Sequence, residues 1–347
     1  MSKNKFTDCR LGTVGGQAVM EGVMMKSRSD MAVAVRNGKG NIVVRTRKVT
    51  SVREKFKPFG WPVIRGIVNF IEMLILSYST LTVSMEMAGL DGVEAESKFD
   101  KWLEKHLGKH ILTIVGVIGG VLGVALALLL FMFVPYWLAK LINDHLFALG
   151  WAFSLVEGLF KICLFISYLA LVSLMPDIKR LFRYHGAEHK SIFCYEKGLE
   201  LNVENVRAQK RFHPRCGTSF IFVLLALSII AGSFIPSDIG YLRILLKLAV
   251  LFPVVGLGYE FIRYAGKHEN IVTRVLSAPG LWMQRITTKE PDDSMIEVAI
   301  VSVKSALHSE FPEFEIPYEE KAGETKSAEN ADTEEKEQNG AADDNDR

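Results

Sequence analysis

A mainly α, polytopic membrane protein is the fold class this 347-residue chain predicts, with four spanning helices, one re-entrant or interfacial helix and a small cytoplasmic β-hairpin. Three observations carry that prediction. Hydrophobic residues make up 49% of the chain and gather into five blocks: Pro62 to Met85, Ile111 to Leu141, Trp151 to Met175, Gly217 to Pro236 and Leu242 to Ile262. Each block is long enough, at about 1.5 Å per helical residue, to cross a hydrocarbon core of roughly 30 Å. Basic residues concentrate in two long segments, thirteen before residue 62 and nine from Pro176 to Ser219, whereas Ile142 to Gly150 and Ser237 to Tyr241 hold none. Finally, Met31 to Arg36 and Asn41 to Lys48 alternate apolar and polar residues around Asn37-Gly38-Lys39-Gly40, the period of two strands joined through a glycine-containing loop.

Residues 1–61 form the first unit, a cytoplasmic segment holding that hairpin and the run Gly15-Gly16-Gln17-Ala18-Val19-Met20-Glu21-Gly22-Val23-Met24-Met25. The run lacks the Gly-Lys-Ser/Thr of a phosphate loop and is not a dinucleotide fingerprint. Its glycines permit close backbone approach and its methionines suit an adaptable apolar contact. No apolar core followed by a small-residue cleavage site occurs in the first seventy residues, so insertion is expected to use the internal helices.

The membrane unit, 62–264, is oriented by its basic segments, which belong on the cytoplasmic side and put both termini there. An even number of crossings must separate them, yet three apolar blocks intervene. Pro62 to Met85 is the block expected not to span, because Arg65, Asn69 and Glu72 share one helical face and polar groups in lipid are costly unless paired or lining a protected cavity. The bland alternative is a spanning helix with a buried Arg65 to Glu72 contact. In 111–141, Gly116, Gly119, Gly120 and Gly123 make small-x-x-x-small spacings, which mark close helix packing and a route to a homo-oligomer. Glu157 and Lys161, four apart in the third block, are expected to satisfy each other near the outer boundary.

Loop 176–218 is cytoplasmic, as is a helical segment at 265–309, where Asp292-Asp293-Ser294 can cap a helix through Met295, Ile296, Val298, Ala299, Val301 and Val303. Residues 310–347 are acidic, low in complexity and expected to be disordered. That tail holds fourteen acidic and four basic residues, so the net charge of +2 conceals about +12 on residues 1–309. A face so basic should attract anionic lipid head groups. Nucleic acid is not an expected partner, since no recognition helix, zinc finger or aromatic RNA-binding pattern accompanies the charge. Cys9, Cys163, Cys194 and Cys216 show no secretory framework and are expected as thiols or thiolate ligands.

The chemistry points to loop 176–218. Arg183-Tyr184-His185-Gly186-Ala187-Glu188-His189-Lys190 places two imidazoles four residues apart on one helical face, with Glu188 beside them. This is the His-x-x-Glu-His order of inverted zinc hydrolases, in which two neutral imidazoles hold a divalent metal and the glutamate is general base. His213-Pro214-Arg215-Cys216 precedes the fourth block, and Glu260 lies in the last turn of the fifth, so His213, Cys216 and Glu260 are candidate further ligands at the same depth. Cys216 and Glu260 are the favoured pair, with no way to choose between them. Each has a duller role: His213 as a cap, Cys216 as a small apolar group, Glu260 as an ion pair with Arg263, and His268 as an ordinary loop residue. Gly186 argues against the motif's helix by about 1 kcal/mol relative to alanine.

The glycine-methionine run, the Arg183 to Lys190 motif and His213-Pro214-Arg215-Cys216-Gly217-Thr218-Ser219-Phe220, taken in that order, resemble the bacterial YqhQ family, a domain of unknown function, from about Gly12 to about Leu307. The resemblance implies a protein of the bacterial inner membrane with a suspected metal site, and supplies no reaction. The sequence-based expectation for function is a zinc-type hydrolase at the cytoplasmic face, with His185 and His189 as ligands, Glu188 as general base, and Arg215 or Arg183 stabilising an oxyanion. Glu21 is a candidate second acid. One alternative is a scaffold in which His185, His189, His213 and Cys216 close a structural metal site. The other is a transporter using Arg65, Glu72 and the Glu157 to Lys161 pair.

Overall fold

The computed structural model of the chain describes residues 10–90, 111–235, 240–265, 268 and 270–317. Its strands are β1 (Gly15–Val19), β2 (Gly22–Lys26), β3 (Asp30–Arg36) and β4 (Ile42–Lys48). The helices, in chain order, are α1 (Val52–Lys55), α2 (Ile64–Ala88), α3 (Ile111–Leu128), α4 (Val134–His145), α5 (Phe153–Val172), α6 (Pro176–Glu196), α7 (Val203–Arg207), α8 (Gly217–Ser233), α9 (Gly240–Ala265), α10 (Ile271–Thr287) and α11 (Asp293–Ala306). The acidic tail beyond Pro317 and Cys9 lie outside the described residues.

Where a hairpin was expected there is a four-stranded antiparallel sheet, in the order β1-β2-β3-β4. The expected hairpin is β3–β4, closed by the Asn37 amide donating to the Asn41 carbonyl at 2.9 Å, with Gly40 at φ +85°. The two added strands come from the glycine-methionine run. They turn through Met20-Glu21, with Val19 opposite Gly22 and Glu21 at φ +52°, a left-handed conformation that normally selects Gly, Asn or Asp. An ion pair from Arg180 to the Glu21 carboxylate ties this turn to α6.

Both faces of the sheet are covered, and the strand period of two sorts the side chains. Val23, Met25, Ala32, Ala34 and Val44 pack against α6 and α11 through Tyr184, Ala187, Ile192, Met295, Ile296 and Ala299. Met24, Met31, Val33, Val35 and Val43 pack against α2 through Leu76, Met87 and Ala88. The sheet, α2 on one face and α6 with α11 on the other therefore form a three-layer unit. Asp292 caps α11, accepting from the Met295 amide at 3.0 Å, and Ser302 pins α11 to the sheet by donating to the Val23 carbonyl at 2.9 Å.

Among the described residues, four helical stretches are long and apolar enough to cross a membrane: Ile64–Ala88, Ile118–His145, Gly150–Val172 and Leu245–Ala265, with Gly217–Ser233 shorter. The second holds a π-helical turn, Leu129–Phe133, just ahead of Pro135, where the proline ring and missing N–H disturb the regular ladder. Gly119, Gly120 and Gly123 face open space.

Helix α2 is continuous over 25 residues and two-faced. Its buried face joins the sheet: Gln17 bonds the Ser77 and Thr80 hydroxyls at 2.5 Å, and the Met20 amide donates to Ser84 Oγ at 3.1 Å. Ile71, Leu74, Ile75, Tyr78 and Met85 are exposed on it. Its polar residues do not meet one another. Arg65 donates to Glu260 through Nε at 2.6 Å and Nη2 at 2.5 Å, whereas Glu72 accepts from Ser51 Oγ at 3.0 Å and the Val52 amide at 2.7 Å. Glu157 likewise departs from expectation. Its carboxylate makes its ion pairs with α9, with Arg243 at 3.2 Å and with Lys247, and none with Lys161 among the described residues.

Candidate metal centre

Helix α6 carries His185, Glu188, His189, Ile192 and Glu196 along one stripe, at i, i+3, i+4, i+7 and i+11. The segment after α10 crosses this helix beside the stripe, with the Lys289 amide donating to the Phe182 carbonyl at 2.8 Å. A Cβ on Gly186 would lie 2.0 Å from the Lys289 carbonyl oxygen. The glycine that weakens the helix is thus the one that lets the segment seat.

Two backbone carbonyls aim the imidazoles. The Thr287 carbonyl lies 2.8 Å from His185 Nδ1, and the Arg211 carbonyl 2.5 Å from His189 Nδ1. A carbonyl can only accept, so both Nδ1 atoms carry a proton, and in the neutral ring that leaves the lone pair on Nε2. Those lone pairs converge: one ligand atom each from His185, His189 and Cys216 lie within 4.8 Å of one another, with Cys216 Sγ 3.3 Å from His185 Nε2. Glu188 Oε2 stands 3.7 Å from His185 Nε2 and 3.8 Å from His189 Nε2. Cys216 is placed from both sides by Gln284 of α10, which accepts from the His213 amide at 2.7 Å and donates to the His213 carbonyl at 2.7 Å and Ser219 Oγ at 3.0 Å.

The cluster is buried, with His189 2%, Glu188 4% and Cys216 9% exposed. Two nitrogen acceptors, a thiol and a carboxylate in such a space suit a cation of the zinc type. Burial pushes the Glu188 carboxyl up to about 7, against the pull of His185 and the Gly16 amide. A Cβ on Gly16 would sit 3.0 Å from Glu188 Cγ, so β1 passes directly over that carboxylate and gives the glycine-methionine run a place at the site.

The other candidates sit elsewhere. His213 Nδ1 accepts from the Arg215 amide at 3.3 Å, and its Nε2 lies 3.8 Å from Glu196 Oε2; its ring is 5.5 Å from that of His189. Burial holds the His213 imidazole below its ordinary pKa. Arg215 is committed to Glu196 and positions His213; it does not face the cluster. Arg183 turns to Asp292 at 2.9 Å and the Glu290 carbonyl at 3.2 Å. Glu260 is outside the group because Arg65 takes both its oxygens, and Glu21 because Arg180 does. His268 stacks on Tyr264 with ring centres 4.3 Å apart. Glu196 went unnoticed in the sequence, although it lies seven residues from His189 on the same stripe. Burial alone would raise its pKa, but His213, the Gly12 amide donating at 2.8 Å and Arg215 outweigh burial and keep it low.

A family model described as "Protein of unknown function (DUF1385)" matches residues 61–309. The chain is 37% identical over 313 residues to "Uncharacterized protein YqhQ" of Bacillus subtilis (strain 168), covering 89% of this chain and 96% of that protein. No solved structure matches. Because the family model spans most of the chain, the protein belongs to the DUF1385 family of unknown function, and its relative YqhQ covers nearly the whole of it.

Proposed function

We propose that this protein is a divalent-metal-dependent hydrolase of the zinc type, working at the cytoplasmic face of the membrane, with His185, His189 and Cys216 as ligands and Glu188 as general base. One observation carries the reading: two hydrogen bonds from Nδ1 to backbone carbonyls fix both tautomers, so two Nε2 lone pairs meet a thiol and a carboxylate at one buried point. A bound ion would supply Lewis-acid polarisation of a water or substrate carbonyl. Glu188 lies nearly equidistant from the two nitrogens, close enough to take a proton from a group seated between them.

A second reading is favoured by the burial of His189, Cys216 and Glu188, with His185 half-buried beside them: Glu188 as fourth ligand of a closed structural site. Cobalt(II)-loaded protein separates the two. For a hydrolase, acetohydroxamate should enter an open coordination position and change the visible spectrum, and Glu188→Gln should keep its metal. A spectrum indifferent to acetohydroxamate, with metal lost from Glu188→Gln, overturns the hydrolase in favour of the closed site. Arg65, Glu72 and Glu157 are each committed to separate partners, so nothing favours a transport path.

The same reading places α2 in the membrane interface. Its inner face is spent on the sheet, while Ile71, Leu74, Ile75, Tyr78 and Met85 form the outer stripe of a surface-lying helix. Spin labels at residues 71, 75, 78 and 85 should all report one shallow depth in vesicles. A depth that runs through the bilayer centre along this series would mean that α2 spans.

A further inference from the structure

Away from the histidine cluster, a cavity of about 370 Å³ lies where α1 and the 3-10 turn Lys57–Gly60 meet the start of α2 and the end of α9. Ser51, Arg53, Gly60, Arg65, Tyr259 and Arg263 line it. Three of the six are arginines. Among the described residues only Arg65 bonds a carboxylate directly, taking Glu260 through two short bonds, 2.6 and 2.5 Å. Glu72, the next acid along α2, is occupied by Ser51 Oγ and the Val52 amide. Arg53 donates only to neutral oxygens, Ser51 Oγ at 3.0 Å and Tyr259 Oη at 3.3 Å. Arg263 is exposed and makes no hydrogen bond or ion pair with the described residues. The cavity therefore holds two guanidiniums that make no direct ion pair among the described residues, Arg263 having Glu260 only as an electrostatic neighbour, and a phenol whose oxygen already accepts from Arg53, leaving its own proton free to donate.

Its position supplies the second half of the argument. Arg263 lies in the last turn of α9, within the apolar stretch Leu245–Ala265. Flanking the 3-10 turn Lys57–Gly60, Trp61 is 61% and Phe56 52% exposed. Exposed aromatic side chains beside basic ones at the end of an apolar helix are the composition of the lipid–water boundary. A guanidinium's planar set of donors matches phosphate oxygens in pairs, and the volume is at the lower end of the range for small-ligand sites, roughly 300–1,000 Å³.

We propose that this cavity binds the phosphate of an anionic phospholipid, with Arg53 and Arg263 as the binding guanidiniums and Tyr259 as a hydroxyl donor. The site anchors the α1–α2 corner to the bilayer and is independent of the metal reading. Native mass spectrometry of the full-length protein with phosphatidylglycerol, phosphatidylcholine or inorganic phosphate tests it. Phosphatidylglycerol should be retained in preference to phosphatidylcholine, and Arg53→Gln and Arg263→Gln should each weaken retention about fivefold, as expected for one basic residue at an anionic surface. Arg263→Gln, at an exposed position, should leave the melting temperature unchanged, so its effect is not one of folding. Equal retention of the two lipids, or undiminished phosphatidylglycerol binding in the double variant, overturns the proposal. Inorganic phosphate bound through the same arginines, with no lipid retained, would keep the phosphate chemistry and overturn the lipid as its source.

Discussion

His189→Ala is expected to purify without the divalent metal proposed for the wild-type protein. His189 is 2% exposed and its Nδ1 is fixed by the Arg211 carbonyl, so its Nε2 lone pair has no orientation other than towards His185 and Cys216. Loss of an outer-shell hydrogen bond to a ligating histidine already weakens metal binding by about 10–100-fold, and deletion of the ligand itself should exceed that range. His185→Ala and Cys216→Ser should behave alike, whereas Glu260→Gln should leave the metal content unchanged, because Glu260 is bound to Arg65. Elemental analysis of the four variants beside the wild type, backed by loss of the sulfur-to-cobalt absorption in Cys216→Ser, makes the comparison. Equal metal in every variant removes the site. Loss in Glu260→Gln alone would transfer it to the end of α9.

That contrast shows where sequence reasoning reached its limit. The His-x-x-Glu-His spacing sufficed to place His185, Glu188 and His189 on one face, because helical period is a local property. Cys216 and Glu260 could not be separated by the same means. What separates them is that Arg65, 195 residues from Glu260 along the chain, claims that carboxylate, and pairing between distant residues leaves no mark in either segment. The hairpin β3–β4 and the Asp292 cap were legible for the same local reason. Strands β1 and β2 were not, since their turn puts Glu21 in a left-handed conformation with no residue that signals it and relies on Arg180 of α6. Glu196 was overlooked because a lone glutamate seven residues beyond a histidine is unremarkable until the Gly12 amide and His213 are folded against it.

Gly186→Ala is expected to destabilise the protein and loosen the metal together, opposite to what helix propensity predicts. On propensity alone alanine would stabilise α6 by about 1 kcal/mol. The added methyl would instead stand 2.0 Å from the Lys289 carbonyl oxygen and 3.3 Å from Pro291 Cδ. The nearest obstacle is backbone, so no rotamer change relieves it and the crossing segment has to move. Overpacking of this kind costs about 1–3 kcal/mol, enough to reverse the propensity gain and lower the melting temperature by a few degrees, at about 2–4 °C per kcal/mol for a domain of roughly 200 residues. Moving the segment also breaks the bond from the Lys289 amide to Phe182 and draws the Thr287 carbonyl away from His185 Nδ1. With its tautomer and ring angle no longer fixed, His185 should bind metal about 10–100-fold more weakly. Thermal melts and competitive metal titration of Gly186→Ala read the two effects separately. A melting temperature that rises with metal affinity intact would mean that the segment after α10 does not rest on α6, and the carbonyl that sets the His185 tautomer would have to be sought elsewhere.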